Sequence, residues 1–472
     1  MKIEQIYTGC LAQGAYYIES KGEAVIIDPL REVGPYIEKA KANHSKIKYI
    51  FETHFHADFV SGHLDLAAKT GAKIIYGPKA NPSFDVHIAE DNEVFKVGNI
   101  SLKAIHTPGH TMESTCFLLS DETGKDVAIF TGDTLFIGDV GRPDLAQEAI
   151  AGLTQETLAS HLFDSLRNRI MPLADDIMVY PAHGAGSACG KNMSKETFDT
   201  LGNQKQTNYA LNPKSTRGEF IAQVLDGLMP PPAYFPQNVL MNIQGYESLD
   251  KVMARGKKAL TPEEFETVAN ETGALVIDTR SQAAFKQAFI PNSIFIGIDG
   301  SFATWVGTLI PDSKQEILFV ADAGREEEVI TRLARVGYDF ALGYLDGGLE
   351  AWAKEGLELD SLNSASPAQL AQIIKTEAIE VLDVRKRSEY EAQHIDTAHV
   401  MNFPLASISE NMEKVHSDKT YYIHCAGGYR SVIAASILKS RGFDKLIDIE
   451  EGFDGIERTA IATTAFVCPS TL

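Results

Sequence analysis

A chain of 472 residues is longer than one hydrophobic core can fill, so about three domains are expected. Its composition, 44% apolar and 23% charged, is that of an ordinary globular protein, and no apolar run approaches the ~18 residues that a membrane span needs. A net charge of −21 without any cluster of Lys and Arg excludes nucleic acid and anionic membranes as partners.

The first residues, Met1-Lys2-Ile3-Glu4-Gln5, read as the start of a strand and contain no apolar signal-peptide core. Cys10, Cys116, Cys189, Cys425 and Cys468 are scattered and odd in number, which reads as free thiols of a reducing cytoplasm. Then comes the loop Thr53-His54-Phe55-His56-Ala57-Asp58-Phe59. Two imidazoles and a carboxylate at alternate positions have the look of a metal loop. The phenyl ring of Phe59 cannot bind a cation, so a two-metal site built here would lack a ligand. The pattern points to one metal with open positions, which suits redox chemistry with O2 better than two-metal hydrolysis. His63, a few residues on, reads as structural.

Three further segments complete the set. His110 lies in Thr107-Pro108-Gly109-His110-Thr111 after an alternating strand over 100–106. Asp133 follows the apolar run 127–130, and His183 follows the run 177–180. Each sits in a Gly- or Pro-marked loop at the end of a strand, where catalytic groups are often placed. Cys189, in a glycine-rich turn just beyond His183, reads either as a sulfur-carrying thiol or substrate contact near the metal, or as a small packing residue.

After about residue 205 the chain changes character. Asn212-Pro213-Lys214 and Met229-Pro230-Pro231-Pro232-Ala233-Tyr234-Phe235-Pro236 form a proline-rich connector that is neither a regular helix nor a central strand. Its aromatic residues imply that it is packed. Beyond it lies an internal repeat. Apolar runs ending in Asp278-Thr279-Arg280 and Asp383-Val384-Arg385 are each followed some forty residues later by a second strand, then a seven-residue loop and a helix. Strand and helix in alternation predict a parallel α/β domain for each copy, with chemistry in the loop after the second strand. In the second copy that loop is Cys425-Ala426-Gly427-Gly428-Tyr429-Arg430-Ser431, where backbone N–H groups, a helix N-terminus and Arg430 favour a sulfur anion. Four residues separate Cys425 from Arg430, a cradle that suits a sulfur atom better than phosphate. The first copy has Asp322 in place of the cysteine, followed by Glu326, Glu327 and Glu328, and is read as catalytically dead.

These motifs carry two resemblances. Residues 1–210 resemble the metallo-β-lactamase superfamily in the order H-x-H-x-D, PGHT, TGDT, PAHG. They are most similar to its persulfide dioxygenase branch, through Thr53-His54-Phe55-His56-Ala57-Asp58 and Gly141-Arg142-Pro143-Asp144. The resemblance implies an αββα sandwich and one Fe(II) held by His54, His110 and Asp133, with O2 as co-substrate. It leaves His56, Asp58 and His183 around the metal or as remnants of a second site. Arg142, Asp144 and Cys189 are the implied substrate contacts. Residues 258–357 and 364–472, separated from the first domain by a connector over 211–257, resemble tandem rhodanese domains. That likeness implies sulfur carried on Cys425 with the help of Arg430, and substrate contacts at Gly428 and Ser431.

The expectation is therefore a bifunctional sulfur-oxidising enzyme. It would turn a low-molecular-weight thiol persulfide (of glutathione, coenzyme A or similar) into sulfite, and form thiosulfate or exchange sulfur through Cys425. A cytoplasmic homo-oligomer without nucleic-acid or membrane partners is expected. A zinc-dependent thioester hydrolase like glyoxalase II, fused to a sulfurtransferase, is the alternative. A sulfur carrier or partner-binding protein is the third reading.

Overall fold

The computed structural model describes residues 1–145, 153–228, 230–397 and 399–468, so Met229 at the head of the proline run lies outside the described residues. The chain forms two compact units. One comprises Met1–Val252 with Pro311–Ser313 and Thr331–Asp339, the other Met253–Ile310, Lys314–Ile330 and Phe340–Leu472.

The first unit is built on two six-stranded sheets. In one, β1 (Lys2–Thr8), β2 (Gln13–Ser20), β3 (Glu23–Ile27), β4 (Lys46–Phe51), β5 (Lys73–Tyr76) and β6 (His87–Ile88) lie side by side in chain order. The other holds β7 (Val94–Val97), β8 (Ile100–His106), β9 (Thr115–Ser120), β10 (Asp126–Gly132), β11 (Met178–Pro181) and β12 (Asp199–Thr200), again in chain order across the sheet. Because side chains alternate along a strand, each sheet has two apolar faces to bury. Tyr16, Ile18, Val25, Ile27 and Phe51 meet Phe117, Leu119, Ala128 and Phe130 between the sheets. Their neighbours Ala15, Tyr17, Ala24 and Ile26 pack outward against Tyr36, Ala40 and Leu66 of the helices Gly34–Ala42 and His63–Thr70. On the far sheet Cys116, Leu118 and Ile129 pack against Leu162 of the helix Gln155–Ser165. Helices therefore cover both outer faces, which is the expected four-layer αββα sandwich.

The segment expected as a connector is helical. Helices Arg217–Leu225 and Phe235–Gln244 bury Phe220 and Val224 in the far-sheet core and pack Val239 and Ile243 against the near-sheet core. The first unit consequently runs to Val252. Pro236 is accommodated because it falls in the first turn of its helix, where a missing N–H leaves no bond unmade.

The second unit holds two parallel five-stranded sheets of one topology. Strands β13 (Ala259–Leu260), β14 (Leu275–Asp278), β15 (Ile294–Phe295), β16 (Ile317–Val320) and β17 (Ala341–Leu345) are ordered β13-β17-β16-β14-β15. Strands β18 (Asn363–Ala365), β19 (Glu380–Asp383), β20 (Val400–Asn402), β21 (Tyr421–His424) and β22 (Leu446–Ile449) follow the same order. Each copy opens its first helix with a capping box and proline, Thr261-Pro262 with Glu264 and Ser366-Pro367 with Gln369. Each D-x-R pair is a latch. Arg280 binds Asp278 and the carbonyl of Ala288, and Arg385 binds Asp383 and the carbonyl of Gln393, the last bond in each being 2.8 Å. The copies share a core, with Phe285, Phe289 and Phe295 of the first packed among Leu382, Val384, Phe403 and Ile433 of the second. Among the described residues, no helix is long and apolar enough to cross a membrane.

Candidate metal centre and sulfur-transfer loop

Strands β3, β4 and β5 run parallel, as do β10 and β11, so the loops after β4, β8, β10 and β11 emerge at their carboxyl ends. Those loops carry His54, His110, Asp133 and His183. Gly132, at φ +51°, closes β10 beside Thr53, and a Cβ there would lie 2.6 Å from the threonine side chain. Only glycine permits that approach of the two ligand-bearing loops.

His54, His110 and Asp133 converge in the buried interior. Asp133 Oδ2 has no hydrogen-bond partner, and the Nε2 atoms of His54 and His110 face it at 3.8 and 3.4 Å. Both rings are oriented from behind. Thr53 Oγ1 donates to Asp28 Oδ2 at 2.9 Å, so it accepts from His54 Nδ1 at 3.0 Å. His110 Nδ1 donates to the Arg142 carbonyl at 2.8 Å. Each Nε2 thus presents a lone pair, as a metal-binding imidazole must. Burial opposes ionisation of Asp133, but His183, His54 and His110 outweigh it and hold the carboxyl below its usual range. Burial, then His56, keeps the His54 ring neutral. Three donors with free lone pairs within 4.8 Å of one another fit a divalent ion ~2 Å from each.

Two more buried groups lie around this triad. Asp58, His183 and Cys189 come within 4.8 Å of one another, as do Asp28, Glu52 and His56. His183 bridges two carboxylates, with Nδ1 2.9 Å from Asp133 Oδ1 and Nε2 2.8 Å from Asp58 Oδ2. Burial disfavours its cation, yet Asp133 and Asp58 raise it well above the usual imidazole range. Burial, then Asp58 and Asp133, pushes the Cys189 thiol well up, so it stays protonated beside the triad. His56 Nε2 is 3.1 Å from Asp28 Oδ1, and its ring lies against the wholly buried Phe59 at 4.3 Å between centroids. His63 stacks on Phe84 at 5.1 Å, and burial, then His56, lowers its imidazole to about 3.

Arg142 and Asp144, the expected substrate contacts, bind each other through two bonds of 2.7 and 2.6 Å. Arg142 also donates to the Ala188 carbonyl, and its own N–H donates to the Cys189 carbonyl. The pair thus ties together the loops that carry His110's acceptor and Cys189.

Sequence reasoning missed Asn242. This buried amide, from the helix Phe235–Gln244, donates to the carbonyls of His56 and Phe59 at 2.8 and 2.9 Å and accepts from Ser61 N at 2.9 Å. It holds the turn of the metal loop. An asparagine in a helix after a proline run carries no local signal of such a role. Asn242→Ala leaves three buried backbone groups unpaired, so we expect a loss of about 2–4 kcal/mol in unfolding free energy together with reduced metal content. Denaturant unfolding and elemental analysis of the purified variant check both.

In the second repeat the helix Tyr429–Lys439 begins sooner than expected, so Arg430 and Ser431 lie in its first turn and the loop proper is Cys425–Gly428. Gly428, at φ +92°, aims its N–H at Cys425 Sγ, 3.1 Å away. Ser431 Oγ lies 3.7 Å from the same sulfur. The Arg430 guanidinium is held by Glu389 through two bonds of 2.7 Å. The Gly428 N–H and the helix N-terminus are therefore the groups aimed at a sulfur anion, while Arg430 is shared with a carboxylate. In the first repeat Asp322 is exposed, and Arg325 is taken by Asp299 and Glu328 at 2.8 and 2.9 Å.

Residues 8–183 match the metallo-beta-lactamase superfamily, and residues 261–355 and 366–459 each match the rhodanese-like domain. A probable hydroxyacylglutathione hydrolase, glo2, of Schizosaccharomyces pombe is 33% identical over 198 residues, which are 41% of this chain and 72% of that protein. The mitochondrial persulfide dioxygenase ETHE1 of Homo sapiens is 32% identical over 163 residues, 34% of this chain and 59% of its own length, so less than two thirds of that relative is spanned. The crystal structure of a metallo-beta-lactamase from Staphylococcus aureus subsp. aureus COL is 33% identical with a TM-score of 0.64, covering 73% of this chain and 98% of that one. The chain belongs to the metallo-beta-lactamase superfamily, an enzyme with that superfamily's metal-binding site joined in one polypeptide to two rhodanese-like domains.

Proposed function

We propose that the protein is a persulfide dioxygenase fused to a sulfurtransferase. The observation that carries this reading is the donor set. Among the described residues, His54, His110 and Asp133 are the only metal-competent group with two imidazoles and one carboxylate, and Phe59 occupies the position after Asp58 with a ring that cannot ligate. That set is the one used by non-haem Fe(II) oxygenases, which keep open positions for substrate and O2. A bound Fe(II) would supply the electron transfer that lets O2 oxidise the outer sulfur of a persulfide. The balance is R–S–SH + O2 + H2O → R–SH + SO3²⁻ + 2 H⁺. His54 and His110 would offer Nε2 and Asp133 its Oδ2. His183 keeps Asp133 Oδ1 occupied, so the carboxylate would bind through one oxygen. Cys189, grouped with Asp58 and His183, would border the site.

At the second site the Cys425 sulfur would attack the outer sulfur of a persulfide, breaking its S–S bond and releasing the thiolate R–S⁻. Sulfite would then take that sulfur from Cys425 as thiosulfate, which returns the cysteine thiolate. The hydroxyacylglutathione hydrolase relative makes glutathione persulfide the first substrate to test. About one iron per chain with persulfide-dependent O2 uptake is expected.

A second reading, a dinuclear zinc thioester hydrolase, is favoured by one observation. Asp58, His183 and Cys189 form a further buried donor group in which Asp58 Oδ1 has no partner. Two zinc ions per chain with thioester turnover and no O2 uptake would establish it in place of the first.

The first repeat's loop is assigned no chemistry. Asp322→Ser, on an exposed loop, is expected to change stability by less than about 0.5 kcal/mol and to leave both activities in place. Thermal melting with both assays checks this, and a large loss of either activity in the folded variant would reveal chemistry in that loop.

A further inference from the structure

The cysteine loop of the second repeat is not closed by that repeat alone. Ser431 Oγ lies 3.7 Å from Cys425 Sγ and 2.7 Å from Asp448 Oδ1, both partners buried. The hydroxyl has one proton. Its two acceptors are Asp448 Oδ1 and the Gly428 carbonyl, the latter at 3.2 Å, and the carboxylate is the stronger and nearer, so Asp448 fixes the rotor and holds Ser431 against Gly428, whose N–H faces the Cys425 sulfur at 3.1 Å. Asp448 is in turn held by a residue of the first repeat. Lys286, on the helix Gln282–Gln287, places Nζ 3.0 Å from Asp448 Oδ2 and 3.7 Å from the half-exposed Glu450. Burial pushes the Asp448 carboxyl up, while Ser431 and Lys286 pull it back. The first repeat makes other contacts with the loop's helix. Tyr429 donates to the Gly297 carbonyl at 2.7 Å, and Phe295 N donates to Ser436 Oγ at 3.0 Å.

We propose that Lys286 of the cysteine-less repeat is a positioning residue for sulfur transfer, acting through Asp448 and Ser431 on the Cys425 sulfur. This assigns the first repeat a task that needs no cysteine. It holds an ion pair in place, and the ion pair fixes the rotor of the Ser431 hydroxyl beside the nucleophile. The proposal rests on the sulfurtransferase reading of Cys425, and the controls below separate the two.

The test is a mutant cycle on the full chain, assayed as sulfur transfer from thiosulfate to cyanide. Lys286→Met should lower kcat/KM about tenfold, the scale of one hydrogen bond to a charged group. Lys286→Arg, which can still reach Asp448, should recover most of the loss. Asp448→Asn should fall at least as far, and Lys286→Met added to it should cost nothing more, because lysine acts only through the carboxylate. Circular dichroism and thermal melting establish that each variant is folded. Additive losses in the double variant would overturn the proposal, as would full activity in Lys286→Met or failure of Lys286→Arg to restore activity. If wild type transfers no sulfur, or Cys425→Ser transfers it normally, the sulfurtransferase reading itself fails. If wild type is active, Cys425→Ser is inactive and Lys286→Met matches wild type, only the Lys286 assignment fails.

Discussion

Replacing His110 by alanine should reduce persulfide-dependent O2 uptake by at least ~100-fold, since even the groups that orient metal ligands are worth 10–100-fold. The imidazole supplies one of three donors, and its Nδ1 bond to the Arg142 carbonyl ties the donor to the loop that carries the Arg142–Asp144 pair. Removing it also leaves Asp133 Oδ2 facing a cavity in a buried site. Iron content should fall with the activity. Sulfur transfer from thiosulfate should persist, because Cys425 belongs to a separate compact unit with its own core. Elemental analysis, an oxygen electrode and the transfer assay on one preparation read all three. Retention of iron and O2 uptake would remove His110 from the metal set.

Cys425→Ser should do the converse. A serine hydroxyl is not ionised near neutral pH and cannot carry sulfane sulfur, so transfer should be abolished. The substitution is nearly isosteric in a buried loop, and the Gly428 N–H retains an acceptor, so folding should be preserved. Iron content and O2 uptake should remain. With persulfide and O2 supplied together, the product should shift from thiosulfate towards sulfite, because sulfite no longer meets a sulfane donor. Chromatography of products from wild type and variant decides it. Unchanged thiosulfate would move the carrier role elsewhere, and Cys189, buried 4.8 Å or less from Asp58 and His183, would be the next to test.

The candidate site's parts were legible in the sequence because they lie in short, local patterns. Metal-loop spacing, strand-then-glycine turns and a cysteine before a helix are each set by a few neighbouring residues, and they placed His54 in a metal loop and His110, Asp133, His183 and Cys425 at strand ends. The sandwich was implied by the resemblance those motifs carry, and its physical reason is the alternation along each strand, which gives each sheet two faces to bury. What sequence reading could not reach were the residues that act over long separations. Asn242 stands 186 positions from the His56 carbonyl it holds, and Lys286 stands 162 positions from Asp448. Hydrogen bonds of that kind leave no periodicity, because the partner is chosen by packing rather than by the chain's local twist. The same applies to Arg142 and Arg430. The resemblances implied Arg142 with Asp144 as substrate contacts and Arg430 as support for the Cys425 sulfur, and the fold adds that each arginine has a carboxylate, Asp144 or Glu389, within 2.7 Å. Two charges that come together on burial neutralise one another, and only the folded chain shows which cations are already paired.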